Sequence, residues 1–433
     1  MTADQAGTRR PGTEAETGAG TGGETRVGPV PGLRVLDLTT ERAWLSGRIL
    51  ADLGAVVTLV EPPGGHPQRQ DRRAGAPPGR PNPTWPAFNR GKRSVTLDLT
   101  RPRGRELFLR LAATADVVVE SFDPGTLQRW GLGHEALAAV NPRTVLTCVT
   151  PFGGTGPWAG HAAADLVLAA MGGAVWISGD PDRPPVRTSS DQYFLHAAAE
   201  AVVHTLVAVR HARRTGQGQQ VTVSAQLAAV RTLMNAVPGP YTDGSAVDRS
   251  SFGEPTATQP WRGMFACRDG HILATVPFGP GPQGYVGWLR DEGCLTPRLA
   301  AYSDEQLRSA TLATDDPAFP VLLSDALAAY FGTETKAVLT RKALARRLMV
   351  APVNTVADLL ADEQLADRGY FRTAELDDVG TVRVPGTWAR LSGSPLTGGA
   401  RVAAAGADNE TVWRDEVGLS ARDLRRHRDE GVI

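Results

Sequence analysis

From residue 32 onward, short β-branched apolar runs recur along the chain. They stand at 34–38 (RVLDL), 56–60 (VVTLV), 94–99 (SVTLDL), 116–120 (DVVVE) and 144–150 (TVLTCVT). Each is too short for a helix and nearly continuous in apolar character, as expected of strands covered on both faces. Stretches with helical spacing lie between them. In 102–114 (PRGRELFLRLAAT), Pro102 stands at the start, and Leu107, Phe108 and Leu111 share one face. Strands alternating with helices at steps of about 20 to 40 residues predict a parallel sheet, and hence a Rossmann-like α/β domain. A long helix is predicted over 191–214, stopped by basic residues and Gly216, followed by a sixth strand over 220–224.

After 235 the pattern gives way to a Gly-, Pro-, Ser- and Asp-rich stretch, too long for a compact-domain loop and therefore read as a linker. A second domain is predicted to begin near Trp261, with a strand at 271–276 (HILATV) and helices near 283–292, 316–331 and 342–349. The segment 382–433 holds another Pro/Gly-rich run and then a charged helix. The expected division is a tail at 1–31, a large domain at 32–230, a linker at 231–260, a small domain at 261–375 and a closing segment at 376–433.

At 433 residues the chain is long enough for two domains. Lys plus Arg and Asp plus Glu both number 46, a balance that argues against nucleic acid or an anionic membrane as the main partner. Cys148, Cys267 and Cys294 stand far apart without metal-ligand spacing, which excludes a disulfide scaffold and a structural zinc site. The tail has too little apolar character to fold and no targeting pattern, and no later run approaches a membrane span. A disordered tail and a cytoplasmic setting are therefore expected.

Two GxGxxG matches occur. Gly18, Gly20 and Gly23 lie in the tail with no strand before them, and Pro280 and Pro282 interrupt the match at Gly279, Gly281 and Gly284. Proline there removes N–H donors that a pyrophosphate would need, so a nicotinamide or flavin enzyme is not expected. Between Arg69 and Arg105 ten basic residues face two acidic ones, the best place for a polyphosphate in an otherwise neutral chain. Phe88 and Asn89 beside Lys92 and Arg93 suit a nucleotide better than a bare phosphate. Asp165 follows a Gly-rich loop at 152–157 and begins a short apolar helix ended by Gly172 and Gly173. Such an aspartate is ordinarily a helix cap, although a carboxylate beside free backbone N–H groups can also serve chemistry. His196, His204 and His211 share a helical stripe without converging ligands and are read as core or surface histidines.

Taken in order, several runs resemble the family III CoA-transferases, the CaiB/BaiF family of formyl-CoA transferase and carnitine CoA-transferase. They are 32–39 (GLRVLDLT), 50–55 (LADLGA), 60–64 (VEPPG), 89–99 (NRGKRSVTLDL), 115–120 (ADVVVE), 141–143 (NPR), 152–157 (FGGTGP) and 214–221 (RTGQGQQV), with late echoes at 352–354, 383–386 and 418–420. The resemblance implies an interlocked homodimer, with a Rossmann-like large domain completed by the returning C-terminal helix and a smaller α+β domain reached through long linkers. It also implies that Asp165 is the catalytic nucleophile and that Arg42, Ala43, Asn89, Lys92 and Arg129 contact CoA. Substrates would be an acyl-CoA and a free carboxylic acid, exchanging CoA through an aspartyl-CoA thioester. Coenzyme A would belong to the substrate, with no permanently bound cofactor and no metal.

The chain departs from the family pattern in three places. Ala43, Trp44 and Leu45 replace a frequent Ala-Gly-Pro, Asp123 stands where a cation is usual, and Ala164 replaces an aromatic residue before the nucleophile. These changes bear on the CoA loop, on phosphate binding and on space for the acyl group. Two other functions fit the fold: an acyl-CoA racemase, with Asp191 as second acid and His161 near Asp165, and a CoA-binding accessory protein without turnover.

Overall fold

The computed structural model describes residues 28–70, 81–82, 84–234, 237–242, 244, 249, 260–376, 380–399 and 401–433. Residues 1–27 of the tail predicted at 1–31, and most of the linker at 231–260, lie outside the described residues. The large sheet is α/β and wholly parallel. Its strands are β1 (Arg34–Leu38), β2 (Val56–Glu61), β3 (Arg93–Thr96), β4 (Val117–Glu120), β5 (Val145–Thr150) and β6 (Gln220–Ser224), in the order β3-β2-β1-β4-β5-β6. Helices cover both faces, which is why the inner strands are buried almost throughout and read as unbroken apolar runs. On one face the helix Pro102–Ala112 supplies the predicted Leu107, Phe108 and Leu111. On the other, the long helix Tyr193–Thr215 packs Val202, Ala208, Val209 and Ala212 against Val35, Val57, Val117 and Val145.

Strand order reverses between β1 and β4, so the loops leaving their carboxyl ends part and leave a crevice, the usual ligand position in such sheets. The C-terminal segment closes the opposite edge. Asp408 and Asn409 accept hydrogen bonds from the backbone N–H groups of Ser94 and Thr96 on β3, at 2.8 and 2.9 Å. Side chains thereby replace the missing neighbour strand of this edge. Trp413, Leu419, Leu424, Val432 and Ile433 complete the core beneath it.

The second core is built within one stretch of chain. Strands β7 (Met264–Cys267), β8 (Gly270–Ala274) and β9 (Val350–Val353) form an antiparallel sheet against the helices Gly281–Asp291, Ala318–Phe331 and Lys336–Ala345. Phe265, Trp288, Phe319 and Phe331 fill the space between them. The last of these helices begins before the predicted 342 and ends at Ala345, ahead of Arg347, whose φ of 57° is left-handed. A hairpin absent from the sequence reading, β10 (Phe371–Leu376) paired with β11 (Gly380–Pro385), precedes the closing segment. Among the described residues no helix is long and apolar enough to cross a membrane.

Candidate active site

Asp165 opens the helix Asp165–Met171 but caps a different one. Its carboxylate accepts hydrogen bonds from Gln192 N (3.0 Å, to Oδ2) and from Tyr193 N and Phe194 N (2.8 and 3.0 Å, to Oδ1). These are orphan donors at the start of the long helix Tyr193–Thr215, where the helix dipole also favours negative charge. Asp165 is 7% exposed. An ionised carboxylate has about four acceptor positions, so three donors fix its orientation and leave Oδ2 with only one. The Tyr193 phenol is raised above its ordinary range by burial and by the charge of Asp165.

Arg42 reaches the same helix start from the loop after β1. Its guanidinium lies 5.7 Å from the centre of the Phe194 ring, and Phe194 is one of the residues whose N–H holds Asp165. Across the crevice Arg42 ion-pairs with Asp123 at 2.8 Å. Ala43 is fully buried against Leu168, Phe194, Ala197 and Ala198, so it seats the loop on the helices around Asp165. Ser46 fastens the next turn by donating to Ala198 O at 2.9 Å.

Lys92 and Asn89 do different work. The Lys92 ammonium is buried, with Asp37 Oδ2 at 2.8 Å, Trp44 O at 2.9 Å and Asn89 Oδ1 at 2.9 Å. Burial lowers its pKa, and Asp37 offsets part of that effect. Two hydrogen bonds and the ion pair with Asp37 hold this buried ammonium to the chain itself. Asp37 also accepts from Thr39 N and Thr39 Oγ1, at 2.9 and 2.6 Å, so the pair shapes the loop that carries Arg42. Gly47 makes room for it: a Cβ there would lie 1.9 Å from Asp37 Oδ2. Arg129, on the short helix Thr126–Arg129, is exposed and donates to Pro124 O and Thr126 Oγ1, with no ion-pair partner among the described residues.

Much of the basic excess of 69–105 is likewise paired within the chain, in part by buried contacts and in part by exposed ones. Arg69 pairs with Glu61, Arg93 with Glu416, Arg101 with Asp98 and Arg103 with Glu106, while Arg90 is fully buried and donates to Pro385 O. Arg72, Arg73 and Arg80 lie outside the described residues.

Sequence reasoning missed an aromatic box beside the crevice. Trp44 packs edge-on against Trp85 (4.9 Å) and His66 (5.3 Å), and Arg69 sits 4.5 Å over the Trp85 ring. Trp44 therefore turns inward, is 3% exposed, and donates from Nε1 to Thr39 O. The backbone donors of Gln192, Tyr193 and Phe194 were also missed, since no residue type announces them. Asp191 is exposed and faces Arg187 at 3.5 Å, and His161 packs edge-on against Trp158 at 5.3 Å. Among the described residues no His, Cys, Asp and Glu side chains group as a metal site would require.

Comparisons with known proteins agree with this architecture. The model of CoA-transferase family III matches residues 30–409. The chain is 30% identical to the succinyl-CoA–L-malate CoA-transferase alpha subunit of Chloroflexus aurantiacus, covering 98% of this chain and 96% of that one. It is 33% identical to a subunit of the succinyl-CoA:(R)-benzylsuccinate CoA-transferase of Thauera aromatica, over 82% of this chain and 86% of the other. Among solved structures, a CAIB/BAIF family protein from Brucella suis superposes with a TM-score of 0.76 at 30% identity, covering 90% of this chain and all (100%) of that one. With the family model spanning most of the chain and relatives aligned nearly end to end, this protein belongs to CoA-transferase family III, a family of enzymes.

Proposed function

We propose that the protein moves CoA from an acyl-CoA thioester to a free carboxylic acid, with Asp165 as covalent nucleophile. The observation that carries the reading is the Asp165 carboxylate itself. It is buried, held by three backbone N–H groups, and stands beside the crevice at the carboxyl ends of β1 and β4. One oxygen attacks the thioester carbonyl and CoA thiolate leaves, giving a mixed anhydride. The thiolate returns to the aspartyl carbonyl, expelling the first acid and leaving an aspartyl-CoA thioester. An incoming carboxylate attacks that thioester, and the released thiolate then takes the new acyl group and frees Asp165. Every bond broken is matched by one formed, with no redox step.

In this reading Arg42 and Arg129 are the cations that meet the anionic ligand. Lys92, Asn89 and Ala43 act through the loop they hold. Several relatives are named for succinyl-CoA, and a cation beside the nucleophile suits a donor with a free second carboxylate. A second copy of the chain would cover Leu166, Val167, Val203, Val207 and Leu227, apolar side chains left 42–67% exposed around Asp165 and the long helix. An interlocked homodimer is the arrangement we propose. Sedimentation of the protein as a monomer at micromolar concentration would contradict it.

The activity is tested by mixing the protein with succinyl-CoA and a panel of carboxylic acids and separating the acyl-CoA products by chromatography. New thioesters should form with the native chain. With Asp165→Ala they should vanish while CoA still binds. Activity in Asp165→Ala within about tenfold of the native level would refute the nucleophile assignment.

A further inference from the structure

Asp123 has one side-chain partner among the described residues, Arg42, at 2.8 Å across the crevice. Its backbone carbonyl, not its carboxylate, holds the following turn, accepting from Thr126 N and Thr126 Oγ1. The two loops are already fastened without it: Thr40 N donates to Ser121 Oγ at 2.8 Å, and the Thr40 and Ser121 hydroxyls meet at 3.0 Å. Arg42 is kept in place by the Phe194 ring and has a side chain 24% exposed, whereas that of Asp123 is 63% exposed. The carboxylate is thus neither needed to join the loops nor trapped in the interior. An ion pair this open is weak, and an oxyanion able to engage the guanidinium bidentately competes with it effectively.

We propose that Asp123 is an exchangeable counter-ion of Arg42, displaced when an oxyanion of the ligand enters the crevice, so that this residue sets the affinity of the site for anionic ligands. The inference rests on the proposed CoA-transfer reading, because it takes the ligand at this crevice to be CoA or an acid substrate. The shared chemistry is an oxyanion on Arg42, a phosphate of CoA or a carboxylate of the acid. Asp123 is a specificity-setting residue acting through Arg42 and takes no part in bond making.

The test is a double-mutant cycle read by calorimetric binding of free CoA and, separately, of succinate, to the native protein, Asp123→Asn, Arg42→Ala and the double variant. At about 10 mM salt, where screening acts only beyond about 30 Å, Asp123→Asn should tighten binding by roughly three- to fivefold. The gain should disappear in the Arg42→Ala background and shrink at about 1 M salt. A gain with CoA assigns the displacing group to phosphate, and a gain with succinate alone assigns it to carboxylate. A merely structural Asp123 would loosen the loop and weaken binding, so the sign separates the two roles. Unchanged or weakened binding, or a gain that persists without Arg42, overturns the proposal while leaving CoA binding itself intact. Failure of every form to bind either ligand overturns the CoA-transfer reading and this proposal with it.

Discussion

Lys92 and Arg42 stand on neighbouring segments, both are cations expected from the sequence to meet CoA, and each is paired with an aspartate. The Lys92–Asp37 pair is 1% and 0% exposed, while the Arg42–Asp123 pair is 24% and 63% exposed. The first has three oxygen neighbours and fixes the turn after β1. The second spans an open crevice and rests on the ring of a residue that grips Asp165. Cations expected at one site therefore divide by burial into those held within the chain and those left open to a ligand. Removing a cation from the first group should cost folding, and from the second, binding.

The largest effect should come from Lys92→Met, which leaves Asp37 as an uncompensated buried charge. A loss of about 3–5 kcal/mol in urea denaturation is expected. Arg42→Ala should change stability by less than about 1 kcal/mol in the same experiment. Comparable losses in the two variants would break the distinction.

A second buried pair sharpens it through pH. Asp52 and Arg48 meet at 2.8 Å with Arg90 and Arg372 nearby, and burial outweighs their attraction on both sides. Asp52 is raised from 3.8 to about 6 and Arg48 lowered to about 10. The folded state thus binds the Asp52 proton more tightly than the unfolded chain does. Its contribution to stability is full below about pH 4 and is lost as pH rises through about 6. Measured against Asp52→Asn, the native chain should lose up to about 3 kcal/mol over that interval. A difference independent of pH would show that the burial cost is met elsewhere.

Gly47→Ala should follow, because the new Cβ would press on Asp37 Oδ2 from 1.9 Å. Overpacking of this kind costs about 1–3 kcal/mol by thermal or urea denaturation. The smallest effect on folding, and a specific one on binding, belongs to Arg42→Ala. CoA affinity should fall roughly five- to tenfold by calorimetry.

The sequence discloses most where side-chain character is set by local neighbours. The strands β1 and β6 fall on the residues expected, because burial on both faces or a clear turn before the strand marks them. The edge strand β3 was expected to reach Leu99 but ends at Thr96, and Asp98 N turns instead to Val432 O. The β10–β11 hairpin escaped notice because its exposed, polar strands sit in a Pro/Gly-rich setting. For the site, the resemblance names Asp165, but its three donors lie 27 to 29 residues away and are backbone groups. Asp37 lies far from Lys92 in the chain, and Asp123 is 81 residues from Arg42. A basic cluster in sequence reveals its charge, whereas only the fold reveals which charges are already spent.

The most direct test of the account is intact-mass analysis followed by peptide mapping, after mixing the protein with acyl-CoA thioesters. The account predicts a CoA adduct on the peptide containing Asp165, absent from Asp165→Ala and discharged by an added carboxylate. Turnover with no adduct at any time, or an adduct on another peptide that persists in Asp165→Ala, would contradict it.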